Sequence, residues 1–121
     1  MASSRSFKDL IVWKRSIELA KEIYELSKAF PKNEEYVLTN QLRRAAVSIA
    51  SNIAEGSKRG TQKDFIQFLR IAMGSAAELE TQLIITGEIY SNVDRDRALM
   101  LLDEIQRMIA VLISKLHVTK N

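Results

Sequence analysis

The chain has 121 residues and a mass of 13.8 kDa, which is one domain's worth of chain. It has no cysteine and one histidine, His117, which excludes disulfides, thiolate zinc sites, iron–sulfur clusters and a multi-histidine metal site within one chain. A net charge of +3 and a pI of about 9.3 permit a nucleic-acid partner without requiring one.

Four glycines and one proline supply few of the residues that punctuate hairpins and loops. With 46% hydrophobic and 27% charged residues, the composition is that of a folded globular domain. The longest uncharged stretch, Ala45–Ala54, is too short to span a bilayer. The N-terminus leads into charged sequence with no apolar signal region, so the expectation is a cytoplasmic protein without membrane attachment.

The first periodic segment covers about residues 7–29. One seam is Leu10, Trp13, Ile17, Ala20 and Tyr24, and a second is Val12, Leu19, Ile23 and Leu26. Together they are wider than a coiled-coil stripe. Lys14, Glu18, Lys21, Glu25 and Lys28 alternate in sign on the other side, as on a solvated face. Ser6 with Asp9 predicts an N-terminal cap. Pro31 ends the helix by disfavouring helical geometry at Phe30.

The second helix is predicted over about 34–57, with the stripe Leu38, Leu42, Ala45, Ile49 and Ile53 and with Ala46, Ala50 and Ala54 alongside. Gly56 sits where a C-terminal stop would fall, and Lys58 and Arg59 suit the negative end of the helix dipole. The third helix covers about 61–89. Thr61 is its N-cap with Asp64 three residues on, and Phe65, Phe68, Leu69, Ala72, Ala76, Leu79 and Leu83 form its core stripe. Ile66, Met73, Ile84 and Ile85 widen that stripe. After the turn Ser91–Asp94 the fourth helix runs over about 94–117 through Ala98, Leu101, Leu102, Ile105, Met108, Ile109, Leu112 and Leu116.

Four helices with short connections predict an all-α fold, an antiparallel up-down-up-down four-helix bundle forming one domain over 1–121. A turn centred near Lys58–Gly60 would set Ala45 and Ala46 against Gly74 and Ser75, small residue against small residue. It would also bring Arg44 near Glu78 as a cross-helix ion pair.

Little in the chain serves catalysis. A di-iron bundle needs Glu-x-x-His, but Ser114 stands three residues before His117. Gly56-Ser-Lys-Arg-Gly60 lacks phosphate-loop spacing and reads either as a tight interhelical turn or as a basic turn touching phosphate. Glu78 and Glu80 are two apart, so they point to different faces and make no metal site with Asp64. The expectation is a protein that is not an enzyme and carries no metal or cofactor.

The main basic concentration is Arg43, Arg44, Lys58, Arg59 and Lys63. Arg44 and Lys58 lie on roughly one face, about 21 Å apart along the helix, so they could follow a phosphate backbone. Glu34, Glu35 and Glu55 on the same helix favour the competing reading of a solvated, ion-paired face. Trp13 either packs in the core or marks a subunit interface. The first helix has two apolar seams, and Val47 and Ile49 lie on different faces of the second. One bundle interior needs one apolar face per helix, so the surplus predicts self-association.

The runs Leu38–Gly56 and Asp64–Glu80, with Phe7–Trp13, resemble the four-helix-bundle family encoded in intervening sequences of bacterial 23S ribosomal RNA genes, the S23 ribosomal protein family. The resemblance covers nearly the whole chain. It implies a ring-like homopentamer, in which five copies at +3 would carry about +15. It also implies a fold relation to the accessory variability protein of diversity-generating retroelements, a basic pentameric barrel that binds a reverse transcriptase and nucleic acid. The family's name records genomic location rather than activity. Asn52, Glu55 and Gly56 belong to its signature, with structural roles expected: Asn52 bonding backbone groups near the helix end, Glu55 pairing with Lys58 or Arg59. The expectation is a non-enzymatic oligomeric scaffold that contacts RNA or a ribonucleoprotein electrostatically. The alternative is a protein–protein adaptor for a reverse transcriptase or other nucleic-acid enzyme, with no nucleic-acid role of its own.

Overall fold

The computed structural model describes residues 6–119, and their side chains except those at 35, 36, 118 and 119. The predicted leaderless start therefore lies mostly outside the described residues. Four α-helices follow in order: α1 (Ile11–Leu26), α2 (Asn40–Lys58), α3 (Gln62–Ile89) and α4 (Asp96–Thr119). Each packs against its neighbours in the chain, and α4 returns against α1, so the bundle is up-down-up-down. Among the described residues there is no strand, and no helix is long and apolar enough to cross a membrane.

The helix starts differ from the sequence reading. Ser6 does accept a backbone hydrogen bond, but from Lys8, and it caps a separate 3-10 turn at Phe7–Asp9. Leu10 is extended, at φ −74° and ψ 126°, so α1 begins only at Ile11 and has no side-chain cap. The segment predicted to open the second helix at residue 34 is instead a 3-10 turn, Lys32–Glu34, followed by a π-helical turn, Glu35–Thr39. The α-helix proper starts at Asn40. Thr61 caps α3 as predicted, accepting from the Asp64 N–H at 3.1 Å. Asp94 Oδ1 takes the Asp96 N–H at the start of α4.

The core is built from one seam of each helix. Leu19 and Ile23 of α1, Leu42, Ile49 and Ile53 of α2, Leu69, Leu79 and Leu83 of α3, and Leu102, Ile105 and Ile109 of α4 are essentially sealed from solvent. Each such side chain contributes about 1.5–3 kcal/mol by leaving water. The polar groups among them are satisfied within their own helices: Ser16 donates to the Val12 carbonyl and Thr86 to the Gln82 carbonyl. Ile84 and Ile85, predicted to widen the core, face outward instead.

The α2–α3 pair is the most extensive contact in the bundle. Its register is not the predicted one. Ser48 faces Ser75, and Gly56 faces Phe68, so facing residue numbers sum to 123 or 124 rather than about 118. The cause is that α2 continues through Lys58 and the chain reverses at Gly60, whose φ of +97° favours glycine. Three expectations fall with the old register. Gly56 is not a helix stop; it is buried inside α2, where an added Cβ would lie 2.6 Å from Phe68 Cβ. Gly74 does not meet α2, because nothing lies within 4 Å of a Cβ built there. Among the described residues Arg44 and Glu78 form no ion pair; Glu78 accepts instead from Gln82 at 3.4 Å.

The ends are tied by polar and aromatic contacts. Arg15 reaches Glu104 at 3.2 Å and Arg97 reaches Glu22 at 3.6 Å across the α1–α4 seam. At the opposite end from the α2–α3 turn, Tyr90 stacks on Phe30 and donates its hydroxyl proton to Glu34. The hydrogen bond to the Glu34 carboxylate, then burial, then that carboxylate's charge raise the Tyr90 phenol above its ordinary pKa of 10.0.

Two outcomes follow. Alanine normally improves a helix interior by about 1 kcal/mol over glycine. Gly56→Ala should nevertheless destabilise the protein by about 1–3 kcal/mol, because Phe68 Cβ cannot move away cheaply; denaturant unfolding at fixed protein concentration measures it. A group with a raised native pKa adds stability that is complete below its unfolded pKa and is lost as pH rises through the native value. Wild-type protein should therefore lose stability more steeply than Tyr90→Phe as pH rises above 10.0; equal alkaline slopes for the two would contradict the Tyr90–Glu34 contact.

Candidate nucleic-acid interface

The five basic residues singled out in the sequence fall into two groups. Arg43 and Arg44 lie early in α2, beside the C-terminal half of α1. Lys58, Arg59 and Lys63 surround the α2–α3 turn. The rise of a helix puts Arg44 and Lys58 roughly 21 Å apart on the same side.

The two groups differ in what the side chains are doing. Arg43 Nε donates to Ser27 Oγ at 2.9 Å, and Nη2 donates to the Tyr24 carbonyl at 3.4 Å. Its guanidinium also lies 4.4 Å from the centre of the Tyr24 ring. Arg43 thus clamps α2 onto the end of α1. Arg59 is held at 2.9 Å by Glu55, one turn back, and lies 4.8 Å from the centre of the Phe68 ring. The Glu55 pairing expected from i,i+4 spacing is therefore present, with Arg59 as the partner. Being half exposed, that pair is worth no more than about 0.5 kcal/mol. Arg44, Lys58 and Lys63 are exposed, and among the described residues none has a carboxylate within 4 Å.

Asn52 bonds a backbone group as expected, but one within α2 rather than at the turn. Its amide donates back along α2, to the Ser48 carbonyl at 2.8 Å and to Ser48 Oγ at 3.0 Å. Ser48 Oγ shares a 2.8 Å hydrogen bond with Ser75 Oγ on α3. The three side chains are a polar rivet between the helices.

Trp13 is half-buried, edge-on to Phe7 with ring centres 5.3 Å apart. It lines a shallow groove between α1 and α2 with Ile17, Ala20, Val47, Ala50 and Ala54. Ile17, Tyr24 and Val47 remain 37%, 45% and 43% exposed. On the seam of α1 that holds Trp13, Trp13 and Ala20 pack against the core, whereas Ile17 and Tyr24 face out of the bundle. On α3, Ile71, Ile85 and Ile89 are also exposed, and helical spacing places them with Gly74 on one face. Sequence reasoning missed that face because it assigned Ile85 to the core. It also missed Ser27 and Asn40; neither carries a charge or repeats at a telling spacing.

His117 Nε2 accepts from Arg70 Nη2 at 3.2 Å in an exposed α3–α4 contact. Among the described residues, no three histidine, aspartate or glutamate side chains gather closely enough to hold a metal ion.

Comparison with known proteins agrees with this architecture. A crystal structure of a protein of unknown function from the S23 ribosomal protein family of Bacteroides thetaiotaomicron superposes with a TM-score of 0.72 at 27% identity, over 85% of this chain and 98% of that one. No curated protein is significantly similar. Residues 8–114 match the family described as 23S rRNA-intervening sequence protein. The chain belongs to the 23S rRNA-intervening sequence protein family.

Proposed function

We propose that this protein is a non-enzymatic, self-associating scaffold that contacts RNA or a ribonucleoprotein through its basic surface. The observation carrying this reading is the division among the basic residues. Arg44, Lys58 and Lys63 sit on the outside of α2 and its turn with no carboxylate within 4 Å among the described residues, so their charge is available to phosphate. Arg43 and Arg59 contribute field but are also engaged by side-chain partners, Ser27 and Glu55 respectively. The family's location within ribosomal RNA genes supports an RNA partner over other anions.

Self-association rests on the outward apolar residues. The α1–α2 groove around Trp13 and the α3 face of Ile71, Ile85 and Ile89 are two different surfaces. Two different surfaces that meet make a head-to-tail contact, which closes into a ring when the rotation permits. Five subunits is the number implied by the family resemblance. The same surfaces also favour a second reading, an adaptor that takes a nucleic-acid enzyme as its protein partner.

RNA binding measured against salt tests the reading. Affinity should fall steeply as salt rises, as counterion release requires. Reversing charge at Lys58→Glu and Lys63→Glu together should weaken binding about tenfold or more at low salt. The unfolding midpoint should barely move, since exposed positions without partners cost little. Absence of detectable RNA binding at low salt would overturn the proposal.

A further inference from the structure

The α1–α2 seam changes character along its length. Around Trp13 and Ile17 it is apolar and uncharged. Past Val47 it opens into a cleft of about 530 Å³ lined by Tyr24, Asn40, Arg43, Arg44, Val47 and Ser48. That volume lies within the roughly 300–1,000 Å³ of small-ligand sites. The lining holds two arginines and no acid. Two other concavities are mixed in sign: one, between α1 and α4, has Asp9 beside Arg107 and Lys115, and another sets Glu18, Glu22 and Glu25 against Lys21 and Arg97.

The chemistry of the cleft is specific. Tyr24 offers an aromatic face, with 45% of the residue exposed although Arg43 covers part of the ring. Arg43 is fixed by Ser27 and the Tyr24 carbonyl, so its orientation is set before any ligand arrives. Among the described residues its Nη1 has no partner. Arg44 is exposed and, among the described residues, unpaired. Asn40 adds an amide that can both donate to and accept from a base edge. An aromatic platform beside two guanidinium groups and an amide matches one unstacked nucleotide: ring for base, arginine for phosphate, amide for base edge. Duplex RNA keeps its bases stacked inward and cannot offer a face to Tyr24.

We infer that this cleft is a binding site for a single-stranded nucleotide, in which the base stacks on Tyr24 and its phosphate pairs with Arg44 and Arg43. The inference rests on the proposed RNA contact and gives it a location and a strand preference. Lys58, about 21 Å away along α2, and Lys63, across the α2–α3 turn, would then hold a more distant phosphate without reading strandedness.

The test compares a short oligouridylate with a duplex RNA of equal length, by fluorescence anisotropy, on wild-type protein and on Tyr24→Leu, Tyr24→Phe and Arg44→Ala. Tyr24→Leu should weaken the single strand about tenfold and leave the duplex unchanged, while Tyr24→Phe should bind as wild type. Arg44→Ala should weaken the single strand and lower its salt slope by about 0.7, the contribution of one phosphate. A photo-cross-link from 5-iodouridine in the same oligonucleotide, mapped by mass spectrometry, needs no variant and should fall on Tyr24. Cross-links confined to the α2–α3 turn, or a Tyr24→Leu variant that binds single strand and duplex as wild type does, would overturn the cleft and leave the RNA contact standing. Wild-type protein that binds neither RNA at low salt would overturn both.

Discussion

Where α2 runs along α3, Gly56 removes a side chain and the backbone settles against Phe65 and Phe68. Farther up, Ser48, Asn52 and Ser75 link the two helices through hydroxyls and an amide, groups small enough to let the backbones stay close. The inward positions of α2 mix large and small side chains: Leu42, Ile49 and Ile53 are buried with Ala45, Ala46 and Ala50. This close hairpin fixes the rest. It sets the register of α2 and so determines which residues α2 turns outward: Arg44, Val47 and Lys58.

The second constraint is that α1 is apolar on two sides. Leu19 and Ile23 fill the bundle interior, and Ile17 and Tyr24 stay outside it. The Arg43 clamp holds the C-terminal end of this outward seam against α2. The result is a surface that is apolar around Trp13 and basic around Arg44. A monomer with this surface would keep Ile17, Val47, Ile71, Ile85 and Ile89 in water at considerable cost. The proposed self-association would relieve that cost at the apolar surfaces and leave the charged residues outside. The division separates the part of the molecule proposed to meet its copies from the part proposed to meet phosphate.

Much of this was legible in the sequence. The 3.6-residue period marks four helices, and the inner stripes of α1, α2 and α4 match the buried residues closely, because a helix that must bury one face repeats its apolar residues at that spacing. The surplus seam of α1 was legible for the same reason. The helix starts were not. Leu10 and residues 34–39 carry no breaker, and their turns are imposed by how the chain enters the bundle. The hairpin register was missed because Gly56 looks like a stop, whereas its role is to sit beneath a phenylalanine on another helix. Ile85 was misplaced because an isoleucine on a rich apolar helix gives no sign of which side is covered. The Arg43–Tyr24–Ser27 contact joins residues 16 and 19 apart in sequence through the loop between α1 and α2, and no local pattern encodes it.

The most direct measurement is the mass of the purified protein in solution at micromolar concentration, by size-exclusion chromatography with multi-angle light scattering. Outward apolar surfaces covered by copies of the same chain predict a single species at a multiple of 13.8 kDa. A ring of five would give about 69 kDa, five times that mass. Replacing Val47 with lysine in the α1–α2 groove should shift this species toward the single-chain mass. A wild-type protein that elutes as a 13.8 kDa monomer would contradict the account.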